Sequence, residues 1–88
     1  GLGDVYKGQV LIDSSIHIGS MIDGHKVMEL RLPEGSLIVS VMRDGKEIIP
    51  HGSTILNGSD DLEILCRLKN IAATEAVLDE KCKAIDAD

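Results

Sequence analysis

Few side chains in this chain are grouped closely enough to do chemistry. Histidines stand at 17, 25 and 51 and cysteines at 66 and 82, with no CxxC pair and no Cys/His spacing that suits zinc. No metal site is therefore expected. Both thiols read as buried and reduced, with a disulfide between them as the other option. There is no serine elbow with a histidine and acid to support it, no phosphate-cradling GxGxxG and no carboxylate pair in an apolar setting, so the chain does not read as an enzyme. Asp60-Asp61 reads as the opening of a strand. The most pointed juxtaposition is Arg43 with Lys46 across Asp44-Gly45. If these residues form a tight hairpin, two cations stand face to face, which is unfavourable unless solvent, the Asp44 carboxylate or a bound anion relieves them.

That hairpin is the best-marked element of the chain. Residues 36–42 are apolar or small and rich in Val and Ile, as a pleated strand prefers. A two-residue Asp-Gly loop selects a type I′ turn, because both central positions need positive φ. The expected register places Arg43 opposite Lys46, Met42 opposite Glu47, Val41 opposite Ile48 and Ser40 opposite Ile49. Leu37, Val39, Val41 and Ile48 then share one face, and Ile38, Ser40, Met42 and Ile49 the other. A ribbon apolar on both sides is expected to be covered on both, by its own domain and by a partner. Ile38, Ser40, Met42 and Ile49 are accordingly the candidate dimer interface.

The remaining elements follow from patterning. Residues 1–8 read as a weakly patterned lead-in, and 9–86 as one domain. A strand is expected over about 9–18, with a bend at Asp13-Ser14-Ser15, Ile16 and Ile18 facing inward and His17 outward. Ser20 and Asp23 resemble a capping box opening a short helix that runs to Leu30 and is stopped by Pro33. A strand is expected over 61–67. The tail, about 72–85, is helical, with Thr74 or Asn70 as N-cap and Ile71, Leu78, Cys82 and Ile85 on one stripe. The order is βαβββα, which makes an α+β domain with two helices on a small, largely antiparallel sheet.

Totals narrow the function. Of 88 residues, 43% are hydrophobic and 27% charged, as in a globular domain. The core must manage with no Phe or Trp and one Tyr, and association is a common supplement for so small a domain. A formal charge of −6, from 15 acidic and 9 basic residues, argues against a nucleic-acid polymer as partner. No run approaches the roughly 20 apolar residues of a membrane span, so no direct membrane insertion is expected. The chain opens at Gly1-Leu2-Gly3 without an initiator Met or a signal-peptide pattern, as expected of a piece of a longer protein.

Taken together, Ser20…Gly24-His25-Lys26…Glu29-Leu30, Leu32-Pro33-Glu34-Gly35-Ser36, Arg43-Asp44-Gly45, Ile48-Ile49-Pro50-His51-Gly52-Ser53-Thr54 and Gly58…Asp60-Asp61-Leu62 resemble the C-terminal subdomain of regulators of potassium conductance, the RCK-C or TrkA-C family. The likeness covers about 9–86. It departs at His25, which separates a glycine and lysine usually adjacent, and at Ser59, which lengthens a Gly-Asp step. The resemblance implies a cytoplasmic regulatory domain at the inner face of the cell membrane, attached to the transmembrane part of a potassium or other ion transporter or channel. It implies a homodimer without cofactor, in some members binding a small effector such as cyclic di-AMP between subunits. The cleft concerned corresponds to Arg43, Asp44, Ile48, Ile49, Pro50 and His51. Arg43 can fork onto phosphate, the isoleucines can lie against a base, and His51 can donate to either. A ligand-free dimerisation or assembly module is the alternative.

Overall fold

The computed structural model describes residues 3–4 and 7–85. Positions 1–2, 5–6 and 86–88, parts of the expected lead-in and of the expected domain end, lie outside the described residues. The Asp44-Gly45 turn forms as its chemistry requires, with φ of 52° and 77°. It joins β3 (Leu37–Arg43) to β4 (Lys46–Ile48), with Arg43 opposite Lys46, Met42 opposite Glu47 and Val41 opposite Ile48. β4 stops there, so Ser40 and Ile49 do not pair.

β1 (Gly3–Asp4), β2 (Gln9–Ser15) and β5 (Asp61–Arg67) complete one antiparallel sheet in the order β1-β2-β5-β3-β4. The central strand is thus the last in sequence. β2 runs straight through Asp13-Ser14-Ser15 without the expected bend, in unbroken register against β5. The chain leaves the sheet at Ile16, which is buried, whereas Ile18 is exposed beside His17.

β3 carries a bulge. Ile38 pairs with Ile64 but Ser40 pairs with Glu63, leaving Val39 as the extra residue. Strict alternation along β3 therefore fails. Ile38 and Val41 both turn inward, onto Ile64 and Leu62, while Leu37, Ser40 and Met42 face outward. Ile38, expected at a dimer interface, is 6% exposed and belongs to the core.

The inner face is covered by α1 (Ile71–Cys82) and a layer of loops. Leu78 and Cys82 pack into the same buried cluster as Val10, Ile12, Ile64 and Cys66. Fully burying each such aliphatic side chain is worth about 1.5–3 kcal/mol, so the buried cluster of the described residues, made of Ile, Leu, Val and Cys, is a substantial core. Asn70 occupies the N-cap position, and Thr74 lies inside the helix, its hydroxyl donating to the Asn70 carbonyl at 2.8 Å. The helix ends at Cys82, so Ile85 falls beyond it and is exposed.

The helix expected over 20–30 is not α-helical. A 3₁₀ turn at Val27–Leu30 is what forms. Gly19 and Gly24 take φ of 84° and 86°, outside the helical region. Four of the backbone groups a helix would have used are bonded instead to residues 52–56. Gly24 N–H donates to Leu56 O (2.7 Å), Leu56 N–H to His25 O (2.8 Å), Val27 N–H to Thr54 O (2.9 Å) and Met28 N–H to Gly52 O (3.0 Å). A second short ladder has displaced the helix.

That loop layer also closes the end of α1. His17 and Ile22 N–H donate to the Cys82 and Lys81 carbonyls, at 2.8 and 3.0 Å, among the four a helix leaves unsatisfied. In return, Lys81 Nζ donates to the Glu29 and Leu30 carbonyls at 3.1 and 2.9 Å.

Candidate functional site

Arg43 ends β3 on the inward side, one pleat beyond Val41. Its Nε donates to Asp60 Oδ1 at 2.9 Å and its Nη2 to Asp60 Oδ2 at 2.7 Å, a fork on a carboxylate, and Nη2 also donates to the Ile55 carbonyl at 2.9 Å. Asp60 is 2% exposed and accepts the Asn57 N–H at 2.8 Å besides. Its hydrogen bond pushes the guanidinium pKa above the usual arginine value. The facing cations of the hairpin are thus relieved by Asp60. Nothing local marks Asp60 for this role, since it reaches Arg43 across 17 residues of chain. The sole cue was the unexplained juxtaposition of Arg43 and Lys46.

The other candidate residues are divided. Asp44 is exposed at the turn, and Ile48 is half-buried against the core. Ile49 is 70% exposed, on the segment leaving edge strand β4, next to a half-buried Pro50. His51 is exposed and held in place. Its N–H donates to Thr54 Oγ1 at 3.0 Å, Thr54 N–H returns to the His51 carbonyl at 3.0 Å, and its Nδ1 lies 2.9 Å from Ser53 Oγ. Ile49 and His51 are therefore open surface on either side of Pro50, with His51 held by its turn. Arg43 stands behind them, engaged from within.

Ser40 and Met42 belong to the outer sheet face, a separate surface. Ser40 Oγ donates to Glu47 Oε2 at 3.2 Å, and Met42 lies opposite Glu47 on one side and Asp61 on the other.

The loops beneath the edge are tied by another carboxylate. Asp23 accepts Gly19 N–H through Oδ2 (2.8 Å) and Gly58 N–H through Oδ1 (2.7 Å), and those two bonds hold its pKa below the ordinary aspartate value. Glu29 does likewise for the 3₁₀ turn, accepting Lys26 N–H at 2.7 Å with His25 Nδ1 at 3.1 Å; its pKa is lowered by the first bond and then the second. The capping role expected of Ser20 is absent among the described residues.

Among the described residues no group of three or more His, Cys, Asp or Glu side chains could hold a metal ion. Cys66 and Cys82 are buried free thiols, not a disulfide. No helix of the described residues is long and apolar enough to cross a membrane.

Comparison with known proteins places this architecture. The model of the TrkA-C domain matches residues 11–79. A Trk system potassium uptake protein TrkA homolog from Archaeoglobus fulgidus is 28% identical over 67 residues, which cover 76% of this chain. The chain spans only 15% of the length of that relative. A solved structure described as an RCK domain with cda superposes with a TM-score of 0.60 at 20% identity, covering 77% of this chain and 96% of the other. That likeness shows a shared fold. The family match runs from β2 to near the end of α1 and includes both carboxylate-tied loops and the hairpin. The chain belongs to the TrkA-C domain family.

Proposed function

We propose that this domain is the regulatory, ligand-sensing part of a potassium or other ion transporter or channel. It works as a homodimer at the inner face of the cell membrane and takes a small effector, such as cyclic di-AMP, between its subunits. The observation that carries this reading is the TrkA-C match over 11–79, which includes exposed Ile49 and His51 on either side of half-buried Pro50. Ile49 offers an apolar surface to a base or to a second chain, and His51 a ring held ready to donate to phosphate. An effector regulates only through different affinities for two states of the attached transporter. Binding between two subunits supplies that difference whenever the two states hold the subunits differently. No chemistry on the ligand is required, in keeping with a non-enzymatic role.

A second reading has one observation in its favour. The Arg43 fork is occupied by Asp60 of its own chain, so the strongest expected phosphate contact is already committed. The domain is then an assembly module that joins transporter subunits without a ligand. Calorimetric titration with cyclic di-AMP separates the two. Saturable heat that is lost in His51→Ala and Ile49→Ser supports sensing. A stable dimer that gives no heat supports assembly, and a monomer that gives no heat defeats both.

A further inference from the structure

We propose that the outer face of the sheet docks a basic, amphipathic segment of a partner protein. The β2, β5 and β3 register sorts this face into rows running across the strands. One row is Leu11, Leu65 and Leu37, with Leu37 59% exposed. The next is Asp13, Glu63 and Ser40, and the third is Ser15, Asp61 and Met42, with Glu47 beside Met42. Rows on one face of a strand lie about 7 Å apart. An apolar ledge therefore gives way within one row to four carboxylates around Met42.

These rows enclose a hollow of about 420 Å³ at the acidic end. Ser15 and Ser40 donate to Asp61 (2.6 Å) and Glu47 (3.2 Å), but among the described residues none of the four carboxylates has a cationic partner. α1 and the loop layer lie on the opposite side.

The charge selects the occupant. A second copy seated here on a two-fold through Met42 would bring two sets of four carboxylates together, in a chain whose net charge is already −6. A neutral apolar partner would cover the leucine row but strip water from carboxylates it cannot pair. A segment with leucine-like side chains on one stripe and Lys or Arg one helical turn away, about 5.4 Å, satisfies both rows. Lysine stems can lie along Met42 while their ammonium groups reach the carboxylates. This inference is independent of whether an effector binds at Ile49–His51.

The test is an NMR titration of the isotope-labelled chain with a synthetic Leu/Lys amphipathic peptide of about 18 residues, five helical turns, and with its Leu/Glu counterpart. Shifts concentrated at Leu11, Leu37, Met42, Glu63 and Leu65 are expected with the first peptide only. Asp13→Lys with Glu63→Lys should weaken binding about tenfold or more, whereas the same charge change on the exposed face of α1, Glu75→Lys with Asp79→Lys, should leave it within about twofold. Leu37→Ser, at an exposed position, should weaken binding while the chain stays folded by circular dichroism. Equal loss from both charge reversals would reduce the attraction to net charge and overturn the proposal. So would shifts mapping elsewhere, binding of the Leu/Glu peptide, or sedimentation showing that Leu37→Ser dissociates a dimer seated on this face.

Discussion

Replacing Arg43 with alanine should unsettle the fold before it touches any ligand. The change leaves the Asp60 carboxylate, 2% exposed, with the Asn57 N–H as its remaining donor among the described residues. Removing one partner of a buried ion pair costs about 3–5 kcal/mol, chiefly because the other charge is stranded. The Arg43 side chain is 29% exposed, so water enters the vacated space and the lower figure, about 3 kcal/mol, applies. A domain of 88 residues has a total stability of about 4–13 kcal/mol at 0.05–0.15 kcal/mol per residue, so the loss is a large share of it. At about 4–8 °C per kcal/mol, Tm should fall by roughly 12–24 °C. Far-UV circular dichroism during thermal and urea unfolding is the appropriate assay, since the chain has no Trp. Asp60→Asn should restore part of the loss in the Arg43→Ala background, because the stranded charge is gone; a coupling of about 2 kcal/mol is expected from the double-mutant cycle. Arg43→Lys should fall between, since an ammonium keeps the charge but not the fork. A Tm within about 5 °C of the parent for Arg43→Ala, or costs that simply add, would refute this account of the hairpin. One consequence is practical. Loss of effector binding in Arg43→Ala would report unfolding as readily as a lost phosphate contact, which is why His51 and Ile49 are the cleaner probes.

Four further outcomes are expected. Gly24→Ala should destabilise by about 1 kcal/mol, because φ there is +86°; an α-helix at this position would have given a gain of similar size, so the sign of the urea-midpoint shift decides between the two conformations. Asp23 should contribute to stability in a pH-dependent way: its folded pKa is depressed by the Gly19 and Gly58 N–H bonds, so the contribution is present above the ordinary aspartate range and lost as pH falls. The midpoint difference between the parent and Asp23→Ala should accordingly be largest at neutral pH and shrink toward about pH 3, and a pH-independent difference would contradict it. Ile49→Ser should leave unfolding within about 0.5 kcal/mol of the parent yet weaken self-association, read by sedimentation velocity; an unchanged dimer would remove Ile49 from the contact. Cys66 and Cys82 should resist a thiol reagent in the native state and react fully in urea, since both are buried and burial pushes the Cys82 thiol pKa up; prompt native labelling would count against the packing of α1.

Local chemistry made part of the fold legible. The Asp44-Gly45 turn needs two positive φ angles and takes them, and the register from Arg43 to Val41 follows from the loop length alone. The strand at Asp61–Arg67 and the helix carrying Leu78 and Cys82 were also visible in their periods of 2 and 3.6. What failed did so where distant backbone competes with local preference. Residues 20–30 carry a helical pattern, but backbone groups of Gly24, His25, Val27 and Met28 find partners in 52–56, and positive φ at Gly19 and Gly24 takes the chain off the helical path.

The candidate site divides along the same line. Exposure of Ile49 and His51 on a turn after a short strand is a local matter, readable from Pro50 and from the His51-Gly52-Ser53-Thr54 run. The fate of Arg43 is not, because the carboxylate that claims it arrives from 17 residues away only after β5 has inserted between β2 and β3. The bulge at Val39 is likewise invisible in a run of seven strand-forming residues, yet it sends Ile38 into the core and leaves Met42 among carboxylates. Side-chain period and turn type are properties of neighbours in sequence, so the hairpin, the cores of β2 and β5 and α1 could be read from the amino acids, whereas β1, inside the expected lead-in, could not. Which faces those elements bury, and which charges they pair, depends on partners that meet only once the sheet has its strand order, as Arg43 and Asp60 do.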